Sequence, residues 1–128
     1  MARQGIVSDR LPDPVGPYSH VAKVGNIVAV AGQAGLDPQT GIVAGPDIET
    51  QAEQTFRNIA TALALVGAGM ADVIQTRVYL ADLGDFATMN DVYGQHFQAP
   101  YPARTTVAVQ LPANLRIEVD VLAVLERM

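Results

Sequence analysis

The amino-acid sequence predicts an α+β fold in which two helices cover one face of a six-stranded mixed sheet. Three observations lead to this prediction. Several stretches alternate apolar and polar residues with the period of a strand, two carry an apolar stripe with the period of a helix, and only short turns separate them. The chain has 128 residues, of which 49% are hydrophobic, so we expect one domain over residues 1–128.

The first part of the chain predicts three strands. They are expected at residues 3–8, 18–24 and 27–31, and the last two are joined by the tight turn Gly25-Asn26 as a hairpin. Three prolines within residues 12–17 predict an irregular extended segment, because proline fixes φ and lacks a backbone donor.

The first helix is predicted after the hairpin. Asp47 is a suitable N-cap, and Gly67 and Gly69 are suitable stop signals. Apolar residues recur there at steps of three and four and form one stripe: Ala52, Phe56, Ile59, Leu63 and Val66.

A strand over residues 73–80 and a second helix follow. In the strand, Ile74 is expected on the same face as Val78 and Leu80. Asp85 is a candidate cap for the helix. The predicted buried stripe of that helix consists of Phe86, Met89, Tyr93 and Phe97.

The last two strands are predicted at residues 105–109 and 115–125, which completes the order β-β-β-α-β-α-β-β. Two helices that follow strands can cover only one face of the sheet. The other face mixes Glu118 with Leu122 and Val124, so we expect it to be buried against other subunits.

Composition excludes several functional classes. Without cysteine, the chain cannot form disulfides, zinc ribbons or thiolate nucleophiles. The net charge of −5 argues against nucleic acid as a partner. No apolar run approaches the roughly 20 residues of a membrane span, and the N-terminus lacks an apolar signal-peptide core, so we expect a cytoplasmic protein that does not bind membranes.

The polar residues do not match a metal or cofactor motif. His20 and His96, the two histidines, lack ligand spacing, and Ser8 and Ser19 do not fit a Ser-His-acid order. We therefore predict no metal site and no cofactor.

Arg104 and Glu118 are the strongest candidates for chemistry. Arg104 follows the stiff segment 100–103, and a guanidinium can grip a planar carboxylate with two parallel hydrogen bonds. Its alternative role is a surface ion pair. Glu118 lies in mid-strand and could be a functional carboxylate, or it could pair with Arg116 or Arg77 at a subunit contact.

Two further polar residues are ambiguous by themselves. Tyr18 follows Gly16-Pro17 and fits a packing role with its hydroxyl at the surface. Asn90 fits a polar point on the second helix.

At these positions the chain resembles the Rid/YjgF family of reactive-intermediate (enamine/imine) deaminases. The similarity runs from about residue 3 to residue 125 in one register. Together, six motifs carry it: Gly16-Pro17-Tyr18-Ser19, Ala31-Gly32-Gln33, Pro38-Gln39-Thr40-Gly41, Asp85-Phe86-Ala87-Thr88-Met89-Asn90, Tyr101-Pro102-Ala103-Arg104 and Ile117-Glu118-Val119.

The resemblance implies a chorismate-mutase-like fold and a homotrimer with a central barrel and clefts between subunits. It also implies hydrolysis of small-molecule 2-imino acids, or their enamine tautomers, to 2-oxo acids and ammonia. The residues that match family site positions are Arg104 for the substrate carboxylate, Glu118 for the water, Tyr18, Gly32, Asn90 and, through its backbone, Thr106.

Two positions depart from the family pattern. Ala31 stands where many active members carry serine, and Thr106 stands where cysteine is common. Ala31 leaves open a second interpretation, a trimer that binds metabolites or acts as a chaperone without turnover. A third interpretation, an endoribonuclease, is disfavoured by the acidic composition.

Overall fold

Residues 2–126, which the computed structural model describes, form six strands and two α-helices in the predicted order. The elements are β1 (Gln4–Ile6), β2 (Val21–Val24), β3 (Ile27–Ala34), α1 (Ile48–Ala64), β4 (Val73–Leu80), α2 (Phe86–His96), β5 (Ala103–Ala108) and β6 (Ile117–Val124).

The six strands form a mixed sheet with the order β1-β2-β3-β6-β4-β5, which confirms the predicted fold class. Among the strands of the described residues, only β4 and β5 are paired in parallel, and α2 makes the crossover between them. The other four pairings are antiparallel, and α1 connects β3 to β4, which both flank β6. The crossovers set the two helices against each other on one face of the sheet.

The N-terminal strands are shorter than predicted. Val24 pairs with Ile27, and Gly25 has the positive φ of 57° that suits the predicted hairpin turn. Residues 7–20 lie outside the strands because this proline-rich segment is poor in backbone donors. At its other end, β3 continues to Ala34 beyond the predicted end.

Helix α1 begins and ends as its sequence signals indicate. The Asp47 carboxylate accepts a hydrogen bond from the Thr50 backbone N–H at 2.9 Å. Beyond Ala64, Gly67 adopts a positive φ of 74°, which terminates the helix. Val66 lies past the helix end and is only partly buried, whereas the rest of the predicted stripe is completely buried: Ala52, Phe56, Ile59 and Leu63.

Helix α2 differs from the prediction at its first turn. Asp85 precedes the helix, but its carboxylate makes no capping bond; it accepts two hydrogen bonds from Arg116, at 3.0 and 2.9 Å. Phe86 is 41% exposed, so the predicted buried stripe begins one turn later. Its buried members are Met89, Tyr93 and Phe97.

Strands β4 and β6 separate the helix-covered face from an open face. In β6 every second residue is buried beneath the helices: Ile117, Val119, Val121 and Ala123. In β4 a register shift between Val73 and Gln75 leaves Ile74 51% exposed, which corrects its predicted grouping with Val78 and Leu80. The open face of these strands carries Arg77, Tyr79, Glu118 and Asp120.

Candidate functional site

Arg104 lies in a cleft of about 460 Å³ between helix α2 and the segment that leads into β5. The helix contributes residues one turn apart, which share a face, and the prolines before β5 restrict the backbone that carries Arg104. The lining residues are Asn90, Tyr93, Gly94, Tyr101, Pro102 and Arg104. The structure therefore brings two of the predicted site residues, Arg104 and Asn90, into one cleft.

The Arg104 guanidinium contacts aromatic rings instead of a carboxylate. Its Cζ lies 4.7 Å from the centroid of the Tyr93 ring and 5.6 Å from that of Phe86. Among residues 2–126, no carboxylate forms an ion pair with it. The surface ion pair that the sequence also allowed is thus not formed within this part of the chain, and the N–H donors remain available to a ligand carboxylate.

Sequence reasoning assigned Tyr93 and Phe86 to a buried stripe and missed their position beside Arg104. Tyr101, 61% exposed and set between two prolines, was also missed as a residue that lines the cleft. The sequence signal that could have indicated it is an aromatic residue between two prolines, three positions before a candidate carboxylate binder.

Glu118 is partly buried on the open face and lies against Gly32. A β-carbon on Gly32 would be 3.0 Å from Cδ of Glu118 and would overlap its carboxylate. Burial raises the pKa of Glu118, and the negative charge of Asp120 raises it further. A carboxylate with a raised pKa is a stronger base than an exposed glutamate, which suits it to exchanging protons with a substrate.

The two arginines that the sequence offered as partners of Glu118 have other partners. Arg116 binds Asp85, and Arg77 donates to Asp120 at 2.7 Å. Asp120 also accepts a hydrogen bond from the Tyr79 hydroxyl at 2.9 Å. Among residues 2–126, Glu118 therefore forms no salt bridge, and the Arg77–Asp120–Tyr79 cluster lies on the same face of the sheet.

Thr106 and Tyr18 lie outside the residues that line the Arg104 cleft. Thr106 follows Arg104 by two positions in β5, and its hydroxyl is buried with no hydrogen-bond partner among residues 2–126. Tyr18 is 46% exposed in the segment before β2, where its hydroxyl accepts a hydrogen bond from the Val15 N–H at 3.2 Å.

Arg104 and Glu118 lie on opposite faces of the sheet. Arg104 is paired with Thr76, which is buried beneath the helices, whereas Glu118 is paired with Tyr79 on the open face. From the spacing of strands and the rise per residue, their Cα atoms are about 14 Å apart. One chain thus carries two separate groups of candidate residues: Arg104 with Asn90, and Glu118 with Gly32.

The histidines have structural contacts. His20 is buried, with one ring nitrogen 3.1 Å from the Ser8 backbone N and the other 2.7 Å from the Pro12 carbonyl oxygen. His96 lies 2.8 Å from a Glu53 carboxylate oxygen. Within residues 2–126, no three His, Asp or Glu side chains are grouped as metal ligands would be. In the same range, no helix has the length and apolar character needed to cross a membrane.

Comparison with known proteins shows close relatives over nearly the whole chain. The model of the family described as "Endoribonuclease L-PSP" matches residues 8–125. A RutC family protein of Pyrococcus abyssi is 44% identical over 96% of this chain and 98% of its own length. A 2-iminobutanoate/2-iminopropanoate deaminase of Dermatophagoides farinae is 40% identical, over 98% of this chain and all of the relative.

Solved structures share the fold. RidA of the Antarctic bacterium Psychrobacter sp. superposes with a TM-score of 0.90 at 39% identity, covering 95% of this chain and 99% of that one. TdcF of E. coli, solved with bound serine, superposes with a TM-score of 0.89 at 35% identity, covering 96% and 98%. These structures therefore have the same mixed sheet and two helices as this chain.

Proposed function

The chain belongs to the endoribonuclease L-PSP family, also called the Rid/YjgF family, and on this premise we propose that it is a 2-imino acid deaminase. Some relatives in the family are named as deaminases of this kind, and others only as RutC family proteins. The proposed reaction adds water to the C=N bond of a 2-imino acid, or of its enamine tautomer, and releases the 2-oxo acid and ammonia.

The observation that carries this proposal is the environment of Arg104. Its guanidinium faces a cleft and has no ion-pair partner among residues 2–126, although the chain has a net charge of −5. A positive group left available in an acidic protein is suited to a carboxylate-bearing substrate, because its local potential outweighs the distant negative charges. The serine bound to TdcF is a ligand of that kind.

The imine carbon is already electrophilic, so the protein has to orient the substrate and activate water. In the proposed mechanism Arg104 binds the carboxylate. With the imine nitrogen protonated, Glu118 removes a proton from the attacking water as the C–O bond forms, which gives a carbinolamine. Glu118 then returns this proton to the nitrogen as the C–N bond breaks and ammonia leaves, and the remaining hydroxyl proton passes to solvent as the C=O bond forms. No cofactor is needed in this scheme.

The other proposed site residues are Asn90, Gly32, Thr106 and Tyr18. Asn90 lies in the Arg104 cleft, and Gly32 leaves space for the Glu118 carboxylate. We propose that the Thr106 backbone contacts the ligand and that Tyr18 closes the site from a neighbouring subunit.

The proposed site needs more than one copy of the chain. A small imino acid cannot reach both Arg104 and Glu118 within one protomer, because they lie on opposite faces of the sheet about 14 Å apart. A homotrimer with a central barrel would bring the cleft of one protomer to the open face of the next. Analytical ultracentrifugation tests this assembly: a trimer mass is expected, and a monomer at working concentrations would contradict it.

The decisive experiment measures ammonia release from imines generated in situ by an amino-acid oxidase. The wild-type protein should accelerate release over solvent, and Arg104→Ala should reduce kcat/KM by about 100-fold or more. Arg57→Ala is the matched control, because that exposed arginine pairs only with Glu53 on α1 within residues 2–126. No acceleration by the wild type, or full activity of Arg104→Ala, would contradict the proposal.

A mixed-subunit experiment tests whether one site draws on two protomers. Arg104→Ala and Glu118→Gln should each be inactive alone. After co-refolding, some sites would combine the intact Arg104 of one chain with the intact Glu118 of another, so activity should return. If the mixture remains inactive, both residues act within one protomer or the assignment is wrong.

The same preparations address the two alternatives that the sequence left open. Ala31 offers no hydroxyl, which favours a binding protein without turnover. Saturable binding of a 2-oxo acid with no ammonia release would support that function. Cleavage of RNA by highly purified protein, lost on substitution of Arg104 or Glu118, would support a ribonuclease instead.

A further inference from the structure

The Tyr93 ring is the surface on which the Arg104 guanidinium lies. Arg104 Cζ is 4.7 Å from the Tyr93 centroid, closer than the 5.6 Å to Phe86. An arginine that is oriented by a carboxylate uses its N–H donors for that pair. One that lies on an aromatic face is attracted by the ring and keeps its N–H edge available for a ligand.

Tyr93 is itself held rigidly. Only 5% of the residue is exposed, and its hydroxyl lies 3.0 Å from the Thr76 hydroxyl, so the two form a hydrogen bond. Its ring packs against Phe97, with centroids 4.5 Å apart, and edge-on against Phe56 at 5.6 Å. Contacts on this many sides restrict the ring to one orientation.

Thr76 joins the ring to the backbone that carries the arginine. In the parallel pairing of β4 with β5, Thr76 is the register partner of Arg104, and the side chains of the pair lie on the same face. One residue therefore lies beside Arg104 in the sheet and binds the ring beneath its guanidinium. This arrangement fixes the strand position and the side-chain orientation of Arg104 relative to each other.

We infer that Tyr93 is the positioning residue of Arg104: its ring holds the guanidinium so that the N–H edge faces the cleft, and Thr76 fixes the ring. The inference rests on the proposed function, since it assigns how the carboxylate-binding arginine is oriented. Tyr93 acts through Arg104 in this role, so its loss should weaken substrate binding more than it slows the chemical step.

The test compares Tyr93→Leu with Tyr93→Phe in the full-length protein. Leucine removes the aromatic face, so the Kd for 2-oxobutanoate by calorimetry, and KM for the imine, should rise roughly tenfold while kcat changes little. Phenylalanine keeps the aromatic face but loses the hydrogen bond to Thr76, so its Kd should rise by no more than about threefold, clearly less than that of Tyr93→Leu. Val28→Ala is the control for lost stability, because Val28 is buried in β3, three strands away from β5.

A second series keeps the size of the ring. Site-specific incorporation of phenylalanine with increasing fluorination at position 93 withdraws charge from the aromatic face without a cavity. The Kd for 2-oxobutanoate should then rise stepwise with fluorine number. A flat series would overturn the inference, and so would Tyr93→Leu with wild-type affinity.

Failure of the inference can be told apart from failure of the proposed function. If Arg104→Ala loses 2-oxobutanoate binding but Tyr93→Leu retains it, only the positioning role of Tyr93 is wrong. If Arg104→Ala also binds normally, the assignment of Arg104 as the carboxylate binder fails, and the role of Tyr93 fails with it.

Discussion

Gly32 and Glu118 meet across neighbouring strands, so closely that a β-carbon on Gly32 would overlap the Glu118 carboxylate. A register shift in the pairing of β3 with β6, between Val30 and Gln33, occurs at this point. The absence of a side chain at Gly32 is what allows the carboxylate to lie over β3.

Gly32→Ala should therefore impair activity more than stability. The overlapping atoms belong to the end of a flexible side chain, so Glu118 can swing away, and the free energy of unfolding should change by less than about 1 kcal/mol. Displacement of the proposed catalytic carboxylate should lower kcat/KM at least about tenfold. Urea unfolding and ammonia release measure the two effects. Gly69→Ala is the matched control, since a β-carbon there meets no atom of the described residues within 4 Å. Equal activity of both variants would contradict the prediction.

The pH dependence of activity should report Glu118. Burial and then Asp120 raise the pKa of Glu118 above its ordinary value of 4.5. If Glu118 acts as a base, kcat/KM falls as the pH is lowered through this raised pKa. Asp120→Asn removes the neighbouring charge and should shift the acid limb of the profile to lower pH. An acid limb that Asp120→Asn leaves in place would indicate another titrating group.

The same raised pKa predicts how Glu118 affects stability. Between the ordinary value and the raised pKa, the folded state binds more protons than the unfolded state, so stability falls as the pH rises through this window. Above the window, Glu118→Gln should be more stable than the wild type, and the difference should vanish at acidic pH. Thermal unfolding of both proteins from pH 4 to pH 8 measures it; a variant that is less stable at pH 8 would contradict the assignment.

The local signals in the sequence predicted local structure well. The Asp47 cap, the Gly25-Asn26 turn and the alternation of β6 depend on residues close together in the chain, and all three are present. The exposure of Ile74 was missed because it depends on a register shift against β6, a strand more than 40 residues later. Asp85 has the local pattern of a cap, but its carboxylate binds Arg116 instead. The local pattern cannot show this bond, because the two residues are far apart in the chain.

For the candidate site, too, the sequence indicates single residues but not how the fold arranges them. The motifs singled out Arg104 and Glu118, and their placement in the site stays a prediction. The sequence did not show that the two residues occupy opposite faces of the sheet, because faces follow from strand pairing. It also did not show Tyr93 beneath Arg104, because a buried aromatic residue in a helical stripe has the same pattern whether or not it touches a functional group.

His20 should be needed to hold the segment that leads to Tyr18. One of its ring nitrogens accepts from the Ser8 N–H and the other donates to the Pro12 carbonyl. His20→Leu leaves both groups unpaired and should reduce the free energy of unfolding by about 2 kcal/mol. His20→Gln retains an acceptor and a donor and should lose less than half of that. Urea unfolding compares the variants, and equal losses would show that ring packing, not hydrogen bonding, is the contribution of His20.

Thr106→Val tests what the Thr106 side chain contributes. The hydroxyl is buried with no hydrogen-bond partner among residues 2–126, and such a group destabilises the folded state. Valine has nearly the same shape without the hydroxyl, so Thr106→Val should stabilise the protein by about 1 kcal/mol. Thr106→Ser, which keeps the hydroxyl and loses the methyl group, should be less stable than the wild type.

Because the proposed contact of Thr106 with the ligand is through its backbone, Thr106→Val should also retain wild-type kcat/KM. Calorimetric unfolding and ammonia release measure both effects. A large loss of activity at unchanged stability would show instead that the hydroxyl binds the substrate once the site is assembled.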